Sequence, residues 1–184
     1  PEPLTLSPSA VMGYRACPQL YLFEKLWSIE GEAKATWTFG RVIHSTIRRA
    51  VAELKKGRKL PFEEVQRIYE TEWSAIGYED DYQEEEYKKD GLEQLKTFYE
   101  TLCAELPEIL EQEKTFELDL ENNVIVKGRI DQINSLGRHD VEIVDYKTGK
   151  AKKDYEANKD LQLSIYAIAA KEIVAFSRTR HFDP

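Results

Sequence analysis

The chain has 184 residues and a formal net charge of −8, and its 33 % charged and 41 % hydrophobic residues are typical of a globular domain. Its two cysteines, Cys17 and Cys103, are isolated, which argues against a disulfide framework, a cysteine-ligated zinc site and an iron–sulfur cluster. The sequence contains neither an apolar run of the roughly 20 residues that span a bilayer nor a secretory signal at its start. We therefore expect a cytoplasmic protein.

The acidic residues are concentrated in the middle of the chain. Residues 1–60 contain ten Lys or Arg against five Asp or Glu, residues 61–121 five against twenty, and residues 122–184 eleven against nine. Because salt screens charges over roughly 10 Å, a locally basic groove can hold phosphates despite the acidic total. The simpler interpretation of the acidic block is a solvated helix surface, so composition permits DNA binding without predicting it.

Residues 1–110 are predicted to be mainly helical. Ser7 and Pro8 suit the N-cap and first turn of a short helix that ends near Ala16, and the aromatic and apolar segment QLYLFEKL after Cys17-Pro18 is expected to be buried. Three longer helices follow, each with an apolar stripe at helical spacing. The stripes are Ile43, Ile47, Ala50, Val51 and Leu54, ending at Gly57; Phe62, Val65, Tyr69, Trp73 and Ile76, opening at Pro61; and Leu92, Leu95, Tyr99, Leu102 and Leu106, stopping at Pro107.

Residues 111–184 are predicted to form strands and a final helix. The hydrophobic period changes to two in TFELDLE, and the Asn122-Asn123 turn joins this strand to VIVKGRIDQI. A turn at 135–137 leads into VEIVDYK, and LQLSIYAIAAKEIVAF reads as an apolar helix that packs on the sheet. We expect one α/β domain with a small mixed sheet flanked by helices.

The strongest chemical signal is the end of the third predicted strand. Side chains alternate in a strand, so Asp145 and Lys147 project together while Tyr146 points away, and Val141 and Ile143 share the face of Asp145. Charged groups that finish an apolar row are costly unless they are paired or bound to a metal. In isolation such a pair is more often a surface ion pair.

A second carboxylate, Asp131, lies near the end of the preceding strand, in GRIDQI. Neighbouring antiparallel strands lie about 4.8 Å apart, so Asp131 and Asp145 can share one divalent cation. Gly128 in the same strand suggests a close approach to the backbone. Alone, Asp131 would be an ordinary turn residue and His44 an ordinary boundary histidine, and Gln162 with Tyr166, one helical turn apart, would mean little.

Taken together, these blocks resemble the PD-(D/E)XK nuclease superfamily, and within it the RecB-like nuclease domains. The resemblance covers most of the chain in the family's order and is carried by LSPSAVMGYRACPQLYLFEKL, FGRVIH, EKTFEL, VKGRIDQI, VEIVDYKTGK and LQLSIYA. It implies a restriction-endonuclease-like core with an N-terminal helical portion.

The resemblance also implies residue roles. His44, Asp131, Asp145 and the backbone carbonyl of Tyr146 resemble the metal ligands, and Lys147 the catalytic lysine. Similarly, Gln162 and Tyr166 look like the pair that positions DNA beside the active site, while Glu113 is a weaker candidate. The metal implied is Mg²⁺ or Mn²⁺, with the histidine favouring Mn²⁺ modestly.

Two departures from the family pattern matter. Some relatives hold an iron–sulfur cluster with one N-terminal cysteine and three near the C-terminus, but no cysteine follows Cys103, so no cluster is expected. Relatives also commonly continue beyond the LQLSIYA helix, and this chain starts without methionine. Both features are expected of a processed chain, a domain cut from a longer one or a truncated fold.

The predicted function is metal-dependent cleavage of single-stranded DNA or duplex ends, in the nuclease domain of a bacterial-type repair or recombination helicase–nuclease that works at the nucleoid. The helicase would lie in the same or a partner chain, since this sequence has no Walker-type phosphate loop. The alternatives are a catalytically silent nuclease-fold module that binds DNA or a partner protein, and a structural domain whose charges pair with each other. Intact Asp131, Asp145 and Lys147 argue against the silent module.

Overall fold

A computed structural model describes residues 2–29, 31–137, 140–149 and 160–179, with side chains described as far as Ile173 in the last stretch. The elements in chain order are β1 Leu4–Leu6, α1 Pro8–Ala16, α2 Pro18–Tyr21 with a π-helical continuation over Leu22–Leu26, α3 Ala35–Lys55, α4 Phe62–Glu72, α5 Asp81–Ala104, β2 Glu108–Leu120, β3 Val124–Ser135, β4 Val141–Val144 and α6 Leu161–Thr179. None of these helices is both long and apolar enough to cross a membrane.

The sheet is mixed and is organised around β3. One edge of β3 pairs antiparallel with β2 along its length. The other edge pairs with β1 in parallel at its start, where Leu4 meets Val124, and with β4 antiparallel at its end, where Gln132 meets Val144. The predicted mixed α/β fold is therefore confirmed. Strand β1 was not predicted, because three residues between prolines are too few to show an alternating pattern.

Helices cover the sheet with two main hydrophobic clusters. The α6 cluster joins that helix to β2 and β3 and contains Phe116, Leu118, Val126, Ile130, Ile133, Tyr166, Ala169 and Ala170. The α3 cluster joins the three long helices and contains Phe39, Val42, Ile43, Ile47, Val51, Tyr69 and Leu95. Ile109 from β2 and Tyr146, just after β4, pack against the α3 cluster, so this cluster reaches the end of the sheet where Asp145 lies.

Local chemistry determines where several helices begin or end and where the chain turns. The Ser7 hydroxyl accepts a hydrogen bond from the Ala10 N–H at 3.0 Å and caps α1. Gly57, with φ of +82°, ends the helix that carries His44, as predicted. Asn122 and Asn123 both have positive φ, at 63° and 62°, in the turn between β2 and β3.

Some apolar residues that were predicted to be buried are exposed. The QLYLFEKL segment has no buried residue, and Leu20 and Leu26 are more than half exposed, although Tyr21 packs edge-on against Tyr14 of α1. Helix α4 ends at Glu72, so Ile76 lies beyond it and is exposed. Apolar spacing alone does not reveal whether a partner surface exists, and the predicted stripes of α4 and α5 were each extended too far, to Ile76 and Leu106 respectively.

Strand β2 also differs from its prediction, because it begins at Glu108 rather than at Thr115. Its first half is polar and contains a register shift between Ile109 and Glu111, so it shows no alternation of apolar and polar residues. At the far end of the strand Leu120 is 47 % exposed. Only the central residues of β2 carry the pattern by which a strand is recognised.

Close packing of α5 against α3 and α4 depends on Gly91. A Cβ at this position would overlap the buried Tyr69 hydroxyl and approach the Phe39 ring to 2.9 Å. The Tyr69 hydroxyl donates a hydrogen bond to the Lys88 carbonyl of α5 at 3.1 Å, so it is fixed in place. The missing side chain therefore lets α5 lie directly on the layer that carries His44.

We expect Gly91→Ala to lower the free energy of unfolding by about 2 kcal/mol, as overpacking of a core does, although alanine is the better helix former. Gly13→Ala in α1 is the matched control, because a Cβ there meets nothing within 4 Å. That variant should be neutral or more stable by up to about 1 kcal/mol. Urea unfolding of both variants tests this packing, and equal effects would contradict it.

Candidate active site

Asp131 and Asp145 belong to adjacent strands at one end of the sheet. Asp131 lies within β3, and Asp145 directly follows the last residue of β4. The ladder pairs Gln132 with Val144, so the two aspartates are the next positions in the same antiparallel register. The fold thus brings both carboxylates to one edge of the sheet.

Residues 130–134 of β3 are all buried, so both faces of the strand are covered around Asp131. Ile130 and Ile133 both pack in the α6 cluster. Glu113 lies opposite Asp131 on β2, and its φ of +53° is in the left-handed region. Backbone strain of this kind persists only where surrounding structure imposes it. The irregularity therefore coincides with a pair of facing carboxylates.

His44 reaches this end of the sheet from α3. Its Nε2 lies 2.6 Å from the Tyr146 carbonyl oxygen, and its Nδ1 lies 3.6 Å from Asp131 Oδ2. The Tyr146 N–H donates to the same Asp131 oxygen at 2.9 Å. An imidazole, a backbone carbonyl and a carboxylate from three separate elements therefore converge.

A second chain of contacts joins Lys147 to α6. Lys147 Nζ lies 2.7 Å from Asp145 Oδ2 and donates a hydrogen bond to Gln162 Oε1 at 3.1 Å. The Gln162 amide in turn donates to the Tyr166 hydroxyl at 2.8 Å. Asp160 accepts from the Gln162 N–H at 2.8 Å at the start of α6. These contacts hold an ammonium group that is 55 % exposed beside a carboxylate that is 9 % exposed.

The side chain of Tyr146 fixes the backbone between these two groups. Its ring packs edge-on against Phe98 of α5, and its hydroxyl donates to Gln132 Oε1 at 2.5 Å. The Gln132 amide donates a hydrogen bond to Asn134 Oδ1 at 2.6 Å, and the Asn134 amide donates to Glu142 Oε2 at 2.8 Å. Burial raises the pKa of Tyr146, so its hydroxyl remains a proton donor at neutral pH. The position of its carbonyl is thus set by the contacts of its own side chain with β3 and α5.

The electrostatic balance at Asp131 is unfavourable to its charge. Burial raises the pKa of this carboxyl above its usual range, against the opposing effects of the Tyr146 N–H and His44. The neighbouring carboxylates of Asp145 and Glu113 raise it further. A site of this kind gains stability from an additional positive charge.

The matching family model, described as the PD-(D/E)XK nuclease superfamily, aligns with residues 5–180. The chain belongs to the PD-(D/E)XK nuclease superfamily. Asp131, Asp145 and Lys147 lie in the GRID and DYK segments by which the sequence resembles that superfamily. The predicted membership is confirmed.

A shorter similarity links this superfamily member to much larger proteins. It is 36 % identical over 69 residues to a subunit of the ATP-dependent helicase/deoxyribonuclease of Streptococcus pyogenes serotype M1, and equally to the corresponding proteins of serotypes M49 and M4. The aligned part is 36 % of this chain and 6 % of each relative. The similarity agrees with the RecB-like resemblance of the motifs and spans a small fraction of the curated relatives' length.

The donor set at this end of the sheet fits a hard divalent cation. Carboxylates, a carbonyl and one imidazole are the ligands that Mg²⁺ and Mn²⁺ accept. Glu113 Oε2 is buried without a hydrogen bond, although Arg129 Nε lies 2.7 Å away, so it retains acceptor capacity next to Asp131. Within the described ranges no three acidic, histidine or cysteine side chains form a preassembled metal cluster, since Asp145 turns toward Lys147.

Two residues of this site were not predicted from the sequence. Gln132 was treated as part of a strand, yet it is 2 % exposed and orients Tyr146. A long polar residue directly after Asp131 in an apolar strand was the available signal. Arg129, one position before Ile130, pairs with Glu113, and nothing in the sequence distinguished this arginine from a surface residue.

We expect Asp131→Asn to raise the thermal stability of the metal-free protein at neutral pH. Asparagine keeps an acceptor for the Tyr146 N–H and removes a buried charge beside two other carboxylates. Because the pKa of Asp131 is raised in the fold, the parent chain loses stability as pH rises through that folded pKa, and the variant lacks this loss. Melting curves across a pH series test the difference, and a variant that is less stable than the parent at neutral pH would contradict it.

Proposed function

We propose that this chain is a divalent-cation-dependent deoxyribonuclease, acting as one nuclease domain of a helicase–nuclease in DNA repair or recombination. The observation that carries the proposal is the convergence of His44, Asp131 and the Tyr146 carbonyl next to Lys147. The superfamily supplies the nuclease class, and the helicase context rests on the short similarity to the streptococcal proteins.

His44, Asp131, Asp145 and the Tyr146 carbonyl would hold Mg²⁺ or Mn²⁺, and Glu113 is a further candidate ligand. When bound, such a cation lowers the pKa of a ligated water and offsets the negative charge that develops on the phosphate. Asp145 is shared between this donor set and Lys147. Its position therefore couples the two halves of the site.

Lys147 supplies a second positive charge at the scissile phosphate. Its ammonium group donates to Gln162 and pairs with Asp145, which leaves a third N–H to orient the attacking water or a phosphate oxygen. Preorganised charge of this kind is worth about 3 kcal/mol of transition-state stabilisation. Gln162 and Tyr166 hold the ammonium in place and line the approach of the DNA backbone.

We predict that Asp145→Ala and Lys147→Ala each abolish Mn²⁺-dependent cleavage, with rates at least about 100-fold below the parent, while the fold remains intact. The assay is digestion of single- and double-stranded DNA labelled at the 5′ or the 3′ end, which also distinguishes exonucleolytic from endonucleolytic products. Circular dichroism monitors folding of each variant.

Lys127→Ala is the matched control, because Lys127 also forms a 2.7 Å pair with a carboxylate, Glu117, on the same sheet but away from the site. It should cleave at the parent's rate. Undiminished cleavage by Lys147→Ala would refute the assignment. Calorimetric titration with Mn²⁺ separates the alternatives. A nuclease should bind Mn²⁺ and lose this binding in Asp131→Asn, whereas a silent module or a structural domain need not bind the metal.

We predict a smaller effect for Tyr166→Phe. The substitution removes the oxygen that accepts from Gln162 but leaves Lys147 and the carboxylates in place. One neutral hydrogen bond is worth about 1 kcal/mol, so turnover or DNA affinity should fall roughly 3- to 10-fold. Single-turnover cleavage and titration of labelled DNA measure these quantities, and a loss as large as that of Lys147→Ala would contradict the indirect role.

A further inference from the structure

Besides its buried stripe, helix α3 carries a row of exposed side chains along the face that bears His44. Trp37, Arg41, His44 and Arg48 follow one another at intervals of four, three and four residues, so they share one side of the helix. At 1.5 Å per residue this row is about 16 Å long. His44 lies within it and is itself part of the candidate active site.

This row forms one wall of a groove of about 770 Å³. The groove is lined by Trp37, Arg41, His44, Arg48, Glu113 and Arg129, among others. Because His44 and Glu113 line the groove and also belong to the candidate active site, a polymer in the groove would lie beside that site.

The charge of the groove favours a polyanion. Its two acidic residues are already paired, Glu72 with Arg49 at 2.7 Å and Glu113 with Arg129 at 2.7 Å. Ser45 also donates to Glu72 at 2.7 Å. Arg41 and Arg48 are exposed on the same wall, so the groove retains positive charge although the whole chain has a net charge of −8.

Trp37 presents a large aromatic ring to solvent in the groove, since 60 % of the residue is exposed. Lys34 Nζ lies 5.3 Å from the centroid of its ring, a cation–π contact. An exposed indole beside cations is the combination on which unpaired bases stack while their phosphates are neutralised. Bases inside a duplex are already stacked on each other and cannot use it.

We propose that this groove, resting on the nuclease function above, is a track for single-stranded DNA, in which Trp37 stacks on a base and Arg41 and Arg48 contact phosphates on either side of His44. The track selects single strands over duplex.

The test measures binding to the full chain in EDTA, so that no cleavage occurs. The probes are a fluorescein-labelled oligothymidylate and a duplex hairpin of matched charge. Trp37→Ala should weaken binding of the oligothymidylate roughly 10- to 100-fold and binding of the hairpin less than threefold. Trp37→Phe should recover part of the affinity, because a smaller ring still stacks.

Trp27→Ala is the matched control, since Trp27 is 61 % exposed and lies outside the groove. It should bind both probes like the parent. Oligothymidylate should quench the tryptophan fluorescence of the parent and of Trp27→Phe, and should quench Trp37→Phe much less. For Arg41→Gln or Arg48→Gln, the slope of log affinity against log salt should fall by about 0.7 each.

Unchanged oligothymidylate affinity in Trp37→Ala, or an equal loss for the hairpin, would overturn the track. Should Trp37→Ala not fold, the fluorescence comparison between the two phenylalanine variants decides the question. Binding that follows these expectations in a chain that never cleaves DNA would reject the nuclease function and retain the track. Cleavage of DNA by a Trp37→Ala variant that binds oligothymidylate like the parent would reject the track and retain the nuclease function.

Discussion

The site depends on the backbone of Tyr146, where three elements of the fold meet. Its N–H donates to Asp131 on the neighbouring strand, and its carbonyl lies 2.6 Å from His44 of α3. The side chain reaches through to Gln132 and Phe98 and prevents this short segment from rotating. Asp145 and Lys147 are the residues on either side of Tyr146 in the chain. Fixing the backbone of Tyr146 therefore also places their carboxylate and ammonium groups. One anchored residue thus determines the geometry of both halves of the site.

The site also contains features that destabilise the folded, metal-free chain. Asp131 is 9 % exposed and faces other carboxylates, and Glu113 opposite it adopts a left-handed conformation that costs a non-glycine residue about 1–2 kcal/mol. Neither feature helps the metal-free chain to fold. Both are supported by the hydrophobic clusters on either side of the sheet, whose residues include the fully buried Ile130. The stability of these layers allows the concentration of negative charge that a cation requires.

The sequence was sufficient for features that depend on local chemistry. The cap at Ser7, the stop at Gly57 and the turn at Asn122-Asn123 each follow from one or two residues. Strands were predicted from hydrophobic period, but β1 was missed because three residues are too few to show a pattern. The first half of β2 was missed because it is polar and shows no alternation. The exposed QLYLFEKL segment was wrongly assigned to the core, since apolar composition does not specify what a segment packs against.

In the candidate site too, features with a local sequence signal were predicted and features that depend on long-range contacts were not. Asp131, Asp145 and Lys147 stand out in sequence because charges follow apolar strands, and the fold places them together. The support for them is long-range and has no local signature. Gln132 acts on Tyr146 from 14 positions away, and Glu113 acquires its position from a bulged strand whose pattern is polar.

Helix α3 combines a packed face, which holds the helix in place, with an exposed face. Its buried stripe, which includes Ile43 and Ile47, packs in the α3 cluster and fixes the rotation of the helix. That rotation in turn directs His44 toward Tyr146. Residues such as Trp37 and Arg41 on the exposed face do not contribute to the cluster, so they can change without moving His44. The exposed row that contains Trp37 and Arg41 can therefore vary without disturbing the packing that sets the rotation of α3, because this row and the buried stripe lie on different faces of the helix.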